Sequence, residues 1–185
     1  MHLNPYGMDA VNLAADLANR RPADAEELAE RCRAAGLVLE KPATAADLRR
    51  VGATLDAWEK VVDTTGERER ADLANRMLAD STAHPRLTDH AGDGWHLHYR
   101  DDGLSLGALL ASLIAVGTAL HLVGRGMHRL RRCAVPECAE IFADTSRTGR
   151  QRYCSHRCAN RDAVRRHRAR TPAPGARNGA PAKRC

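Results

Sequence analysis

Four of the six cysteines in this 185-residue chain fall into two close pairs: Cys133 with Cys138, then Cys154 with Cys158. The pattern is C-x4-C, fifteen intervening residues, then C-x3-C. Two short pairs joined by a loop offer four thiolates from two tight turns, the donor set of a tetrahedral zinc ion. Four sulfur ligands leave no open coordination position, so the expected ion is structural and activates no water. The segment has few apolar residues of its own, chiefly Val135, Ile141, Phe142 and Tyr153. Zinc binding therefore has to supply the stability that burial cannot, and folding and metal binding become one event.

Charge is split along the chain. Residues 1–130 carry 15 basic and 19 acidic side chains, a balance of −4; residues 131–185 carry 14 basic and 4 acidic, a balance of +10. Four zinc-bound thiolates add about −2 and leave the end of the chain clearly basic. Such a distribution describes a neutral-to-acidic body with a basic module directed at a polyanion. The start, Met1-His2-Leu3-Asn4-Pro5, has no charged segment followed by an apolar one, so a cytoplasmic protein with reduced thiols is expected. Reduced thiols favour metal over disulfides. Cys32 lies on the apolar stripe Ala25, Leu28, Cys32, Ala35 and reads as a small core residue; Cys185 ends the tail.

The front of the chain is helical in pattern. Residues 8–19 predict a first helix with Val11, Leu13 and Leu17. Asp24 with Glu27 opens a second that stops near Gly36, and Thr44 with Asp47 opens a third. In the third, Leu48, Val51, Leu55, Trp58 and Val62 recur at helical spacing. Thr64 with Glu67 is expected to open a fourth, to about Ser81. Further on, Trp95, Leu97 and Tyr99 alternate with His96 and His98, which predicts a strand half-buried on its Trp-Leu-Tyr face; residues 86–90 are its expected hairpin partner. Residues 104–123 carry no charge and are long enough to span a bilayer. Four amphipathic helices upstream need a common apolar partner, so a central buried helix is the expected role. Aromatic residues are only 3% of the chain, which leaves Leu, Ala and Val to fill that core. The expected fold class is mainly α with a small β-hairpin at 1–130, then a small four-cysteine zinc finger at 131–170. A disordered basic tail is expected at 171–185, where three prolines and two glycines break any periodicity.

Within the zinc module, Ile141-Phe142 and Arg152-Tyr153 could pair as short strands, and a helix is expected from Ser155 with Cys158 in its first turn. Arg147, Arg150 and Arg152 in the loop, and Arg161, Arg165, Arg166 and Arg168 on the helix, are candidates for nucleic-acid contact. Crowded guanidinium groups repel one another, and a phosphate backbone relieves that. Asn160 and Arg161 are candidates for reading base edges, since these side chains pair with adenine and guanine. Phe142 and Tyr153 serve either as base-stacking platforms or as core.

These residues carry a resemblance. Cys133 to Cys138, Phe142-Ala143-Asp144-Thr145-Ser146-Arg147, Tyr153-Cys154-Ser155 and Cys158-Ala159-Asn160-Arg161 together resemble the bacterial CGNR zinc-finger family. Asp9-Ala10-Val11-Asn12-Leu13 and Trp95-His96-Leu97-His98 are similar to the ABATE domain that usually precedes that finger. The resemblance spans about residues 7–170 and implies a stress-induced bacterial transcription regulator with a DNA-binding finger. Two positions depart from the pattern. Ala159 stands where the family has glycine, and three residues rather than four separate the second cysteine pair. A methyl group suits a helical backbone there but not a left-handed one.

Other constellations are weaker. His96 and His98 share a strand face and could bind a metal or an anion with His84 or His90, although a solvated outer face is the simpler account. Asp9 and Asn12 lie one helical turn apart and, with His96 and His98, make up a candidate ligand pocket. His121 and His128 read as a core and a surface histidine. There is no Gly-rich phosphate loop, no G-x-S-x-G elbow and no nucleophile beside an obvious base, so catalysis is not expected. The reading is therefore a zinc-containing, DNA-binding regulator without a membrane role, whose front domain senses a small-molecule effector or forms a homodimer. RNA or protein binding by the finger is the alternative. An enzyme would require Asp9, His96 and His98 to converge in one pocket.

Overall fold

The computed structural model describes residues 7–89 and 94–170. Four helices come first: α1 (Met8–Asn19), α2 (Ala25–Ala34), α3 (Ala45–Asp63) and α4 (Glu67–Ser81). A two-stranded antiparallel hairpin follows, β1 (Arg86–Thr88) with β2 (His96–His98), then the long helix α5 (Leu106–Arg125). A single 3-10 turn at Met127–Arg129 leads into β3 (Leu130–Arg132), which pairs antiparallel with β4 (Ile141–Ala143); α6 (His156–Arg170) is last. The N-terminal part is thus mostly helical with a small hairpin, followed by a C-terminal four-cysteine module. The proposed tail, His90 and Cys185 lie outside the described residues.

Local chemistry explains most boundaries. The Asp24 carboxylate accepts from the Glu27 N–H at 2.9 Å and opens α2. Thr44 and Asp47 cap α3 reciprocally: Thr44 Oγ1 accepts from the Asp47 N–H at 3.2 Å, and Asp47 accepts from the Thr44 N–H at 2.9 Å. The expected Thr64 cap of α4 is not formed. Gly66 precedes that helix without a side-chain cap, and Thr64 instead terminates α3, its N–H and hydroxyl both donating to the Lys60 carbonyl.

Helix α5 is the hub, packed against α1, α3 and α4. By length and composition it could cross a membrane, with mean hydropathy 2.1, but 78% of that stretch is buried by its own chain. Trp58 of α3 is fully buried and donates its indole N–H to Thr118 of α5 at 2.9 Å. The crossing of α1 over α5 is close because it is built on glycine. A Cβ on Gly117 would sit 2.6 Å from the Ala10 Cβ, and Gly7, at φ 61°, would drive one into the Gly117 carbonyl.

Hairpin β1–β2 forms where expected, but with the opposite face inward. His98 is buried, whereas Leu97, Trp95 and Leu87 are 47%, 75% and 66% exposed. Alternation was legible, but the sheltered face belongs to the imidazoles. The solvated outer face expected for His96 and His98 is thus replaced by a half-buried and a buried position.

The hydrophobic core does not stop at residue 130. Leu130, Ile141 and Ala143 belong to the same cluster as Leu17, Leu28, Trp58 and Leu110. Hairpin β3–β4 therefore docks on the helical body. The Asn19 amide secures it, donating to the Ile141 carbonyl at 2.9 Å and accepting from the Ile141 N–H at 2.7 Å. Arg132 ties the same hairpin to α3 through Glu59 at 2.8 Å and Asp63 at 2.6 Å.

Candidate metal centre

Each cysteine arrives by a different local device. Cys133 directly follows β3, and its N–H donates to the Glu140 carbonyl at 2.8 Å. Cys138 closes a tight turn, its N–H bonded to the Val135 carbonyl at 2.9 Å. The Ala134 N–H donates to the Arg152 carbonyl at 2.8 Å and fastens the second half of the module to the first. Ser155 caps α6 by accepting from the Cys158 N–H at 3.3 Å. Cys158 is thereby held in the first helical turn, where the helix dipole favours a thiolate.

The four Sγ atoms lie within 4.8 Å of one another, with Cys138–Cys154 and Cys154–Cys158 both at 3.7 Å. A disulfide requires about 2.05 Å. A tetrahedron of sulfurs each about 2.3 Å from a zinc ion has edges of about 3.8 Å. The spacing is that of a zinc site, and the donors are Cys133, Cys138, Cys154 and Cys158. Burial and the neighbouring thiols push Cys154 up to about 12, and burial also raises Cys138; Ser155 lowers Cys158 by hydrogen bonding. A dication reverses that balance by stabilising the thiolates. Val135 and Tyr153 pack around the sulfurs. His156, the alternative ligand, is exposed and outside the cluster.

Residues 129–171 match the CGNR zinc finger. The four-cysteine centre of this finger is a zinc centre, and the two departures from the family pattern can be judged on its geometry. Ala159 is within α6, its N–H bonded to the Ser155 carbonyl at 3.0 Å, and no non-glycine residue among those described has positive φ. The methyl is therefore accommodated. The shorter cysteine spacing still brings Cys158 to 3.7 Å from Cys154. No curated protein matches the chain.

The strand pairing inside the finger differs from expectation. Ile141-Phe142 pairs with β3 and not with Arg152-Tyr153, because Leu130 and Ile141 can then share the main core. The loop after β4 is organised by Asp144, which is fully buried. Its carboxylate accepts from the Ser146 N–H at 2.9 Å, the Ser146 hydroxyl at 2.5 Å and the Gln151 N–H at 3.0 Å. Arg131 approaches it at 3.6 Å. Burial would raise its pKa, but these hydrogen bonds and the nearby Arg129 charge outweigh burial and hold it below the usual carboxylate range. The Asp-x-Ser spacing of a local turn is the sequence signal for this role of Asp144. Gly149 completes the loop at φ 67°, where a Cβ would meet the Arg129 guanidinium at 2.8 Å.

Asp162 is the second unanticipated organiser. It is 4% exposed and accepts from the Tyr153 hydroxyl at 2.6 Å. Arg166 pairs with it at 3.0 Å, and Arg165 also bonds to it. The Tyr153 bond, with these two arginines, holds its pKa low. The spacing to Arg165 and Arg166, three and four residues on, was readable as a helical ion-pair pattern. Tyr153 thus braces α6 through Asp162, and Phe142 is buried opposite Arg131 in the β3–β4 pair.

All eight candidate nucleic-acid residues, Arg147, Arg150, Arg152, Asn160, Arg161, Arg165, Arg166 and Arg168, are exposed. They are not equivalent. Arg165 and Arg166 are tied to Asp162, and Arg152 lies 5.8 Å from the centre of the Tyr153 ring.

The candidate pocket does not assemble. Asp9 and Asn12 line a shallow depression between α1 and α2 with Asp16, Arg20 and Arg31; His96 and His98 are not part of its lining. His121 is buried as expected but less satisfied than a core histidine usually is, with one ring nitrogen 3.4 Å from the Arg129 carbonyl.

Proposed function

We propose that the chain is a DNA-binding transcriptional regulator in which the zinc finger presents α6 and the Arg147–Arg152 loop to the phosphate backbone. One observation carries this reading. The arginines before the first zinc ligand are used internally: Arg129 bonds to the Ser146 carbonyl, Arg131 to the Gly149 carbonyl and Arg132 to α3. Those in the loop and along α6 point to solvent. Among the described residues Arg147, Arg150, Arg157, Arg161 and Arg168 have no ion-pair partner. Uncompensated positive charge on a zinc-braced scaffold favours a polyanion and leaves Asn160 and Arg161 free to read base edges.

The front domain, which is similar to ABATE at Asp9–Leu13 and Trp95–His98, takes the sensing or dimerising role in this proposal. The protein is cytoplasmic and non-catalytic, and α5 serves as a core helix and not as an anchor. The shared core across residue 130 supports coupling, because a shift of α1 or α5 is felt directly by β3–β4.

A salt-titrated binding assay on the zinc-loaded full chain tests the proposal. Replacing Arg161 with Ala should weaken binding to duplex DNA, and replacing Arg168 with Ala should reduce the slope of log affinity against log salt by about 1. Binding that ignores both changes and ionic strength would refute the reading. Preference for single-stranded RNA over any duplex selected from a random pool would move the assignment to RNA.

A further inference from the structure

Val164 is the one large aliphatic side chain of the finger that stands in the open among the described residues. Val135, Ile141 and Phe142 are buried, whereas Val164 on α6 is 49% exposed. Its neighbours on the helix surface, three and four residues away, are Asn160, Arg161, His167 and Arg168. None is apolar, so its own helix offers it no hydrophobic partner. Valine is also a poor choice for a solvated helix, because its branched Cβ restricts χ1 without a gain in burial. A lone exposed valine on an ordinary surface needs no explanation. The stripe around this one does.

Arg157, Arg161, Val164 and Arg168 recur at offsets 0, 4, 7 and 11 and form one face of α6, about 16 Å long. The three arginines have no ion-pair partner among the described residues. Arg165 and Arg166 do, and they pair with Asp162 on the buried side of the helix. Beyond Asp162 every residue of α6 is exposed, so residues 163–170 stand clear of the body on all sides. A helix with its side chains is about 10–12 Å across, and the major groove of B-form DNA is about 12 Å wide. In that groove the ends of the stripe, Arg157 and Arg168, reach phosphates on the walls, and its middle faces the base edges on the floor. The apolar group on that floor is the C5 methyl of thymine. Duplex RNA has neither that methyl nor a major groove that side chains can read.

We propose that Val164 is a specificity-determining residue that packs on the C5 methyl of a thymine in the major groove, while Arg157 and Arg168 hold the backbone on either side. The proposal rests on the reading of the finger as a DNA-binding module and names one base that it selects.

The test uses the zinc-loaded full chain. Sites selected by the wild type from a random duplex pool should hold a thymine at a position where sites selected by Val164→Ala show no preference. Replacing that thymine with deoxyuridine removes only the methyl and should weaken wild-type binding about fourfold, the factor for one buried methyl-sized group. The same replacement should leave binding by Val164→Ala unchanged. The slope of log affinity against log salt should be equal in the two proteins, since valine carries no charge. Arg168→Ala should lower that slope and retain the deoxyuridine penalty. Zinc content and melting verify that each variant folds. A penalty of equal size in wild type and Val164→Ala overturns the proposal, as does a wild-type selection without a thymine that depends on Val164. Equal affinity for the RNA duplex of the selected sequence also overturns it. Either of the first two results, alongside salt-dependent duplex binding, removes the role of Val164 and leaves DNA binding in place; no duplex binding at any salt overturns both.

Discussion

The Asp47 carboxylate accepts a hydrogen bond from the backbone N–H of Gly107 at 2.8 Å, joining the first turn of α3 to the first turn of α5. The same side chain accepts from the N–H and hydroxyl of Thr44, at 2.9 and 2.7 Å. One buried carboxylate thus serves the N-termini of two helices, where both dipoles favour its charge. Burial alone would raise its pKa. The bonds from Gly107, Thr44 and Ser105 outweigh that and lower it from 3.8 to about 2.

That relationship makes acid stability a direct readout. A carboxyl with a depressed folded-state pKa stabilises the fold above its unfolded value, and the contribution is lost as pH falls from about 4 to about 2. The difference corresponds to about 2 kcal/mol. Urea unfolding of Asp47→Asn should show a loss of that size at pH 7, shrinking to little at pH 2. A loss that is constant across this range would mean that Asp47 acts by packing and not by charge.

Removing zinc should unfold the finger without unfolding the helical body. The sulfurs have little apolar support beyond Val135 and Tyr153, whereas α5 is buried by the three helices around it. Chelation, or Cys138→Ser, should abolish amide protection at Ala134, Cys138 and Cys158, whose hydrogen bonds lie within the cysteine module, and take bound zinc from one equivalent to none. Protection in α5 should survive, because its core forms without metal. Global unfolding on chelation would show that β3–β4 is indispensable to the body.

Much of this architecture was legible because it rests on local chemistry. Asp24 and Thr44 announced their helices as caps, and the cysteine spacing announced the metal. What was hidden depends on contacts between distant segments. Nothing near Ile141 indicates that its strand partner lies at β3 or that Asn19 completes its hydrogen bonding from 122 residues away. Likewise, the alternation from Trp95 to Tyr99 gives a strand but not its inward face, and the long-range contact beside it, the Ala83 N–H donating to the Tyr99 carbonyl at 2.8 Å, has no signal in that alternation. Asp144 and Asp162 were readable in hindsight, each through a short-range spacing to the groups it binds.

Asn19 supplies the next test. Its amide gives the Ile141 backbone both the donor and the acceptor that a neighbouring strand would provide. Asn19→Ala leaves that N–H and carbonyl partly sheltered and without these partners, a loss of about 2 kcal/mol. Asn19→Asp keeps an acceptor for the Ile141 N–H and should recover about half. Hydrogen exchange at Ile141 should accelerate more in Ala than in Asp, which separates a lost hydrogen bond from a general loss of packing.

His121 gives a prediction near neutral pH. It is fully buried on α5, beneath the turn leading to the finger, and its Nδ1 has no hydrogen-bond partner among the described residues. Burial pushes its pKa below 6.5, and the charges of Arg125 and Arg129 add to the effect. The neutral ring is the folded form, so its stability contribution is complete above pH 6.5 and declines as pH falls from there through the folded-state value. The Arg129 carbonyl facing its Nε2 also accepts from the Asp144 N–H at 2.7 Å, so losing the imidazole does not orphan that oxygen. His121→Leu should therefore lie within about 1 kcal/mol of wild type at pH 8. At pH 5 the leucine variant should be the more stable of the two, because it has no proton to take up on unfolding. Denaturant midpoints at both values measure the crossing, and parallel curves from pH 8 to pH 5 would show that the ring is hydrated and titrates normally.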